Sequence, residues 1–441
     1  MGVCASKGHD TATTDVVVPL PSWTFAPDDS LPLPLATTLP EGAADVEALL
    51  SAINKGRTAD LARAKAIAAN IRTSSYTLRS FHDDLAAAFP ELGFYMIDGS
   101  KVSSGGTPKD EYLRTMGAAF AFYWLMRIGI DGERGFCFGV DADWHPNLAP
   151  SASHAVPGGS FFTQSAEEKR FSFYSKAPWP LLLQLLVDAG CLRRKTSQPN
   201  SRAASARRLP SAVASVGSLV SPAKLIEKVA AKLASYPSDV KHDEYEVDIE
   251  RTCAMLVLTA IHDIMKIESL LPAVAPEHAP YDGYLAGDTI NDHDAALAYV
   301  LETCGSSVLP SFAAVPERQR KVIRFTQSKI GFNHGWLVQG EAPPAALFSK
   351  FKAVIQAEHV SSSDVAFYFV HWLTDLAGAE PTPLRGSEKF VLKFPHFVLD
   401  SFIQSFHVIN ELANRSETEV FEAYLIERWQ VGGPDCRPTP S

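Results

Sequence analysis

The stretch Ala118-Ala119-Phe120-Ala121-Phe122-Tyr123-Trp124-Leu125-Met126 constrains this chain more than any other. Its side chains are apolar nearly all round, so a helix over Glu111 to Arg127 has to be enclosed by protein on every face. A bilayer-spanning helix takes about 18 to 20 apolar residues, and no apolar run in the chain reaches that length. The enclosing material must therefore be other helices, and helical periodicity is common here. Leu49, Leu50, Ile53, Leu61, Ala64, Ile67 and Ile71 recur at helical intervals, and Pro90 marks a stop after a helical stretch from Ala43 to about Phe89. Trp179 to Ala189 reads as another helix. Phe136-Cys137-Phe138-Gly139-Val140 alternates with small residues and reads as a short strand. The expectation is a mainly α fold.

At 441 residues the chain is long for one core, which predicts two domains with tails. Residues 1–40, rich in Thr, Pro and Asp, read as an extended tether. Residues 41–192 read as a helical domain of unassigned role, whose protein partner the residues do not name. Residues 193–220 carry Arg193, Arg194, Lys195, Arg202, Arg207 and Arg208 among Ser, Ala and Pro without one acid, and read as a basic linker. Helical patterning resumes at 221 and runs to 430, and 431–441 read as a disordered Pro-rich tail. The net charge of −10 argues against DNA binding, which needs clustered cations. It leaves room for a nucleotide or other phosphorylated small molecule, because a metal ion supplies positive charge locally. The six cysteines are scattered, with no CxxC, as in a reducing compartment.

The chain opens Met-Gly-Val-Cys-Ala-Ser-Lys. Gly2 with Ser6 and Lys7 matches the N-myristoylation pattern, and Cys4 is a candidate for palmitoylation. One acyl chain binds membranes only marginally, so the second signal matters. The basic linker is a third, attracting anionic lipid by about 1 kcal/mol per cation near the surface. Ser197 and Ser211, just downstream of Arg pairs, are positions where phosphorylation would weaken that attraction. These signals predict a lipoprotein held at the cytoplasmic face of a membrane.

The stretch that bears on chemistry is Thr252-Cys-Ala-Met-Leu-Val-Leu-Thr-Ala-Ile-His262-Asp263-Ile-Met-Lys266. An apolar helix runs directly into a His-Asp pair, offering a nitrogen and an oxygen to one divalent ion from a rigid, buried support. Lys266, one turn on, is within reach of a phosphate oxygen. The dipeptide alone says little, because His-Asp recurs at 9, 82, 242 and 293. Only the pair at 262 follows a long apolar run and precedes a lysine.

That pattern resembles the HD superfamily of metal-dependent phosphohydrolases, whose central helix ends in His-Asp-x-x-Lys. The resemblance covers about residues 225–380. Asp292-His293-Asp294 with Ala-Ala-Leu-Ala-Tyr-Val-Leu is similar to the helix that carries a further His. Phe332-Asn333-His334-Gly335 is similar to the segment that supplies another. Val370-His371-Trp372-Leu373-Thr374-Asp375 resembles the helix with the last metal-binding Asp. By this matching His262, Asp263 and Asp375 hold a first metal, while His293 and His334 complete a second site. The family's first His corresponds only to His242, at the short end of the usual spacing, and Met265 replaces a small residue. Asp263, Lys266 and one or two divalent ions (Mn, Mg, Fe or Zn) would then carry the catalysis. Such an ion acidifies a bound water and neutralises charge on phosphoryl oxygens. The implied activity is phosphate-ester or nucleotide hydrolysis.

Two other readings stay open. The first is a non-catalytic, membrane-anchored scaffold or signalling protein on a degenerate fold of this kind. The second rests on Asp263, Gly287-Asp288-Thr289, His334 and His359, whose spacing resembles myo-inositol oxygenase, a di-iron enzyme of HD-like fold. Each histidine also has a plainer reading as a hydrogen-bonded interior residue, and His371 stands one turn before Asp375, close enough to pair with it.

Overall fold

The computed structural model describes residues 31–34, 45–97, 99–140, 161–195, 244–328 and 344–431. Among them helices dominate, and the only sheet is a two-stranded ladder. The fold is mainly α.

The patterned stretch before Pro90 resolves into three helices, α1 (Val46–Ile53), α2 (Leu61–Asn70) and α3 (Leu78–Ala88). Each has its own N-cap: Asp45, Asp60 and Thr77 accept from the backbone N–H groups of Ala48, Arg63 and Ser80. A cap satisfies donors that have no partner within the helix, so three such residues mark three starts. α4 (Pro108–Met126) opens on a Thr107–Asp110 capping box and is buried along most of its length, as its composition requires.

α5 (Gly132–Phe138) corrects the reading of Phe136 to Val140 as a strand. Gly135, rather than any alternation, is what matters there. A Cβ on it would lie 2.1 Å from the Trp124 ring, so a bare residue is needed where α5 crosses α4. Gly139 ends the helix at φ +59, a conformation that suits glycine.

After α6 (Ala166–Lys176) and α7 (Trp179–Asp188) comes β1 (Leu192–Arg194), paired antiparallel with β2 (Tyr245–Val247). This shortens the expected linker at its start. Buried Leu192 and Tyr245 pin the ladder, Arg193 pairs with Asp248, and the Lys195 N–H donates to the Glu244 carbonyl at 2.7 Å. The remainder of that linker, the start of the 221–430 segment, and the tail from 432 lie outside the described residues. Within the expected tether, Leu31 is buried in the core.

The second half contains α8 (Ile249–Ile261), α9 (His293–Thr303), α10 (Gly305–Val308), α11 (Pro310–Ala314) and α12 (Glu317–Gln327). It ends with α13 (Pro344–Glu358), α14 (Ser362–Gly378), α15 (His396–Ile409) and α16 (Glu417–Val431). One hydrophobic cluster draws on both halves. One tight seam is α4 against α14, where Gly117 and Gly378 meet backbone to backbone. Small residues allow that approach, and the seam fixes the far end of α14, where Asp375 sits. Among the described residues no helix is long and apolar enough to cross a membrane.

Candidate metal centre

The first two residues of the candidate centre stand where α8 stops. Asp248 caps its start by accepting from the Arg251 N–H at 2.9 Å. From Arg251 to Ile261 every residue is buried, so the chain leaves the helix already inside the protein. His262 and Asp263 are therefore nearly sealed, at 3% and 4% exposure. The backbone turns at Asp263 into a single 3-10 turn, Ile264–Lys266.

The imidazole of His262 is oriented from behind. Its Nδ1 lies 2.7 Å from the Thr259 carbonyl, which can only accept, so Nδ1 carries the proton and Nε2 faces the centre. Nε2 lies 3.4 Å from Asp263 Oδ2 and 3.3 Å from Asp375 Oδ1. Asp375 arrives on α14, whose start is fixed by a Ser361–Asp364 capping box. One nitrogen and two carboxylate oxygens, from residues far apart in sequence, all lie within 4.8 Å of one another. Asp375 is paired with His262 rather than with His371. Its side chain is 45% exposed, so His262 and Asp263 form the floor and Asp375 the open rim.

Burial alone would favour a neutral His262. The charges of Asp263 and Asp375 outweigh it and raise the imidazole to about 9. Burial resists ionisation of Asp375 too, but the hydrogen bond and charge of His262 hold its carboxyl well below the usual range. His371 sits edge-on to His262, ring centres 5.1 Å apart. Burial, reinforced by His262, drives His371 down to about 3. It is a neutral wall of the site.

Lys266 donates to Asp263 Oδ2 at 2.6 Å. Burial is the largest single influence and lowers its affinity for a proton, but Asp263, Asp375 and Glu111 together raise it by more. His293, first residue of α9, places Nε2 4.0 Å from Asp263 Oδ1 and 3.6 Å from Asp294 Oδ1. Asp292, which caps α9, joins His293 and Asp294 in a second group of ligand atoms within 4.8 Å. The structure thus brings His262, Asp263, Lys266, His293 and Asp375 to one place. Gly2, Cys4, His242 and His334 lie outside the described residues. His359, used in the oxygenase matching, is exposed at the end of α13 with φ +48 and is not gathered with His262.

One residue at the site carries no motif. Glu111, on α4, is completely buried, and its Oε2 lies 3.7 Å from Lys266 Nζ. The only signal for it in the sequence is an acid followed at i+3 by Arg114 at the head of an otherwise apolar helix.

No family model matches the chain, and no curated protein or solved structure matches it.

Proposed function

We propose that the chain is a metal-dependent hydrolase of phosphate esters or nucleotides, with His262, Asp263 and Asp375 holding a divalent ion. The reading rests on one observation: Nε2 of His262 and the carboxylates of Asp263 and Asp375 lie within 4.8 Å of one another. The donor set fits such an ion. An imidazole whose other nitrogen is tied to a carbonyl, and whose Nε2 proton an arriving ion would displace, beside two carboxylates, is a common arrangement for Mn, Fe, Zn or Mg. Bound there, the ion would supply Lewis acidity towards phosphoryl oxygens and acidify a water.

The chain's own groups divide the remaining work. The Asp263 carboxylate, fixed in the floor, accepts a proton from the attacking water. Asp375 and His293 stand on the rim, where substrate arrives, and the Lys266 ammonium offers a charged donor to a phosphate oxygen. His371, apolar in effect, keeps water from the back of the centre. The Asp292–His293–Asp294 group offers a place for a second ion. Together with Gly2, Cys4 and the basic segment after Arg193, the proposal places this activity at a membrane surface.

Mn²⁺ content and turnover of p-nitrophenyl phosphate and bis(p-nitrophenyl) phosphate by the full chain test the reading. Wild type should hold one or two ions and hydrolyse one of the esters. His262→Ala, Asp263→Ala and Asp375→Ala should lose both properties. A folded wild type that binds no Mn²⁺, Mg²⁺, Fe²⁺ or Zn²⁺ would falsify it. A second reading is favoured by the Lys266–Asp263 contact of 2.6 Å: a purely structural ion-pair network in an anchored scaffold protein. Under that reading the same substitutions lower the melting temperature while metal content stays at zero throughout.

A further inference from the structure

Lys266 and Glu111 raise a question the metal centre alone does not answer. An ammonium 2.6 Å from Asp263 Oδ2 competes directly with any cation for that oxygen. An ion arriving at Asp263 repels it, and a half-buried ammonium cannot be left without a counter-charge. Beside it is Glu111, 0% exposed, from a different part of the chain. Its Oε1 is fully used, accepting from Ser104 Oγ at 2.5 Å and Arg114 Nη1 at 2.8 Å. Its Oε2 has no hydrogen-bond partner and faces Lys266 Nζ across 3.7 Å. A buried carboxylate oxygen without a donor is costly, and such groups call for an explanation.

We infer that Glu111 is the receiving carboxylate for Lys266: a positioning residue that takes the ammonium from Asp263 when a divalent cation binds. This rests on the proposed metal centre. Closing 3.7 Å to hydrogen-bond length asks the ammonium to move only about 1 Å. Asp263 is then released to the cation while Lys266 stays charged and paired. The satisfied Oε1 anchors Glu111, so the lysine moves and the glutamate does not. Helix α4, in the segment without recognisable chemistry, becomes part of the centre. The orphaned oxygen acquires a role in one state of the site, and Lys266 remains close enough to meet a phosphate.

The test is a double-substitution cycle read by Mn²⁺ titration of the full chain, with Glu111→Gln, Lys266→Met and the pair. Glu111→Gln keeps the shape and an acceptor for Ser104 and Arg114 but removes the charge that receives Lys266. It should weaken Mn²⁺ binding about 10- to 100-fold, the range seen when partners behind metal ligands are lost. Lys266→Met removes the competitor and should tighten binding. In the Lys266→Met background, Glu111→Gln should have almost no further effect. A merely structural Glu111 would shift the melting temperature and leave the cycle additive. Equal weakening by Glu111→Gln in both backgrounds overturns the inference, and so does unchanged affinity in the single variant. If Glu111→Gln does not fold, Lys266→Met decides alone, since weaker Mn²⁺ binding there removes the competition on which everything turns. Wild type that binds no ion overturns the metal centre and this inference together. Wild type that binds with an additive cycle overturns this inference alone.

Discussion

Gly117→Ala is the sharpest probe of how the fold serves the site. A Cβ at 117 would lie 2.3 Å from the Gly378 carbonyl oxygen, where ordinary contact begins at 3.4 Å. Both partners are backbone, so no side chain can swing aside, and α4 and α14 must part by about 1 Å. Overpacking of this kind costs about 1–3 kcal/mol, and the rigidity of the seam puts it near 3. For a chain of this size that corresponds to a fall of roughly 3 °C in melting temperature. The same displacement acts on Asp375, three residues before Gly378, whose Oδ1 stands 3.3 Å from His262 Nε2. Mn²⁺ affinity should fall about tenfold or more as that ligand withdraws. Thermal melts and Mn²⁺ titration measure the two effects on one sample. Gly106→Ala is the control, because its Cβ would meet nothing nearer than 3.4 Å. If Gly117→Ala melts with wild type, the seam is looser than described and the argument linking it to Asp375 fails.

Other outcomes follow from the same structure. In EDTA-treated protein, His262, raised from 6.5 to about 9, adds stability that is complete below pH 6.5 and lost as pH climbs through 9. His371, lowered from 6.5 to about 3, acts oppositely, so stability drains as pH falls from 6.5 towards 3. Each slope is at most about 1.4 kcal/mol per pH unit. Urea melts across pH should peak near neutrality, and His371→Asn should flatten the acid limb; an unchanged limb sinks that assignment. Ser311→Ala removes the hydroxyl that donates to the buried Glu91 Oε2 and leaves that oxygen unpaired, and should cost about 1–3 kcal/mol in a urea melt. Gly2→Ala should move the protein from the membrane to the soluble fraction of a cell lysate, with Cys4→Ser doing so in part. Full retention of Gly2→Ala on membranes would count against acylation.

What could be read ahead in the sequence was whatever short-range chemistry controls. The start of α8 at Asp248 and the capping box at Ser361 are local, and so is the apolar run that buries His262 and Asp263. Matching a remote Asp375 to that pair needed the HD-like pattern, since nothing local ties 263 to 375. Glu111 was beyond reach because only the packing of α4 against the end of α8 makes it a neighbour of Lys266. Phe136 to Val140 misled for a related reason. The glycine in that stretch, Gly139, is required where the helix ends against the backbone at Leu384 and Gly386, a tertiary demand that imitates the period of a strand. Strands as short as Leu192–Arg194 and Tyr245–Val247 offer too few residues for any period to register.

The little ladder has a consequence of its own. Leu192 stands opposite Val247, and Lys195 is bonded to Glu244, so the chain departs and returns through a single doorway. That ladder clasps the helices before it to those after it, beside the core they share. A protease cut within 196–243 should leave two pieces that copurify, joined by their shared core.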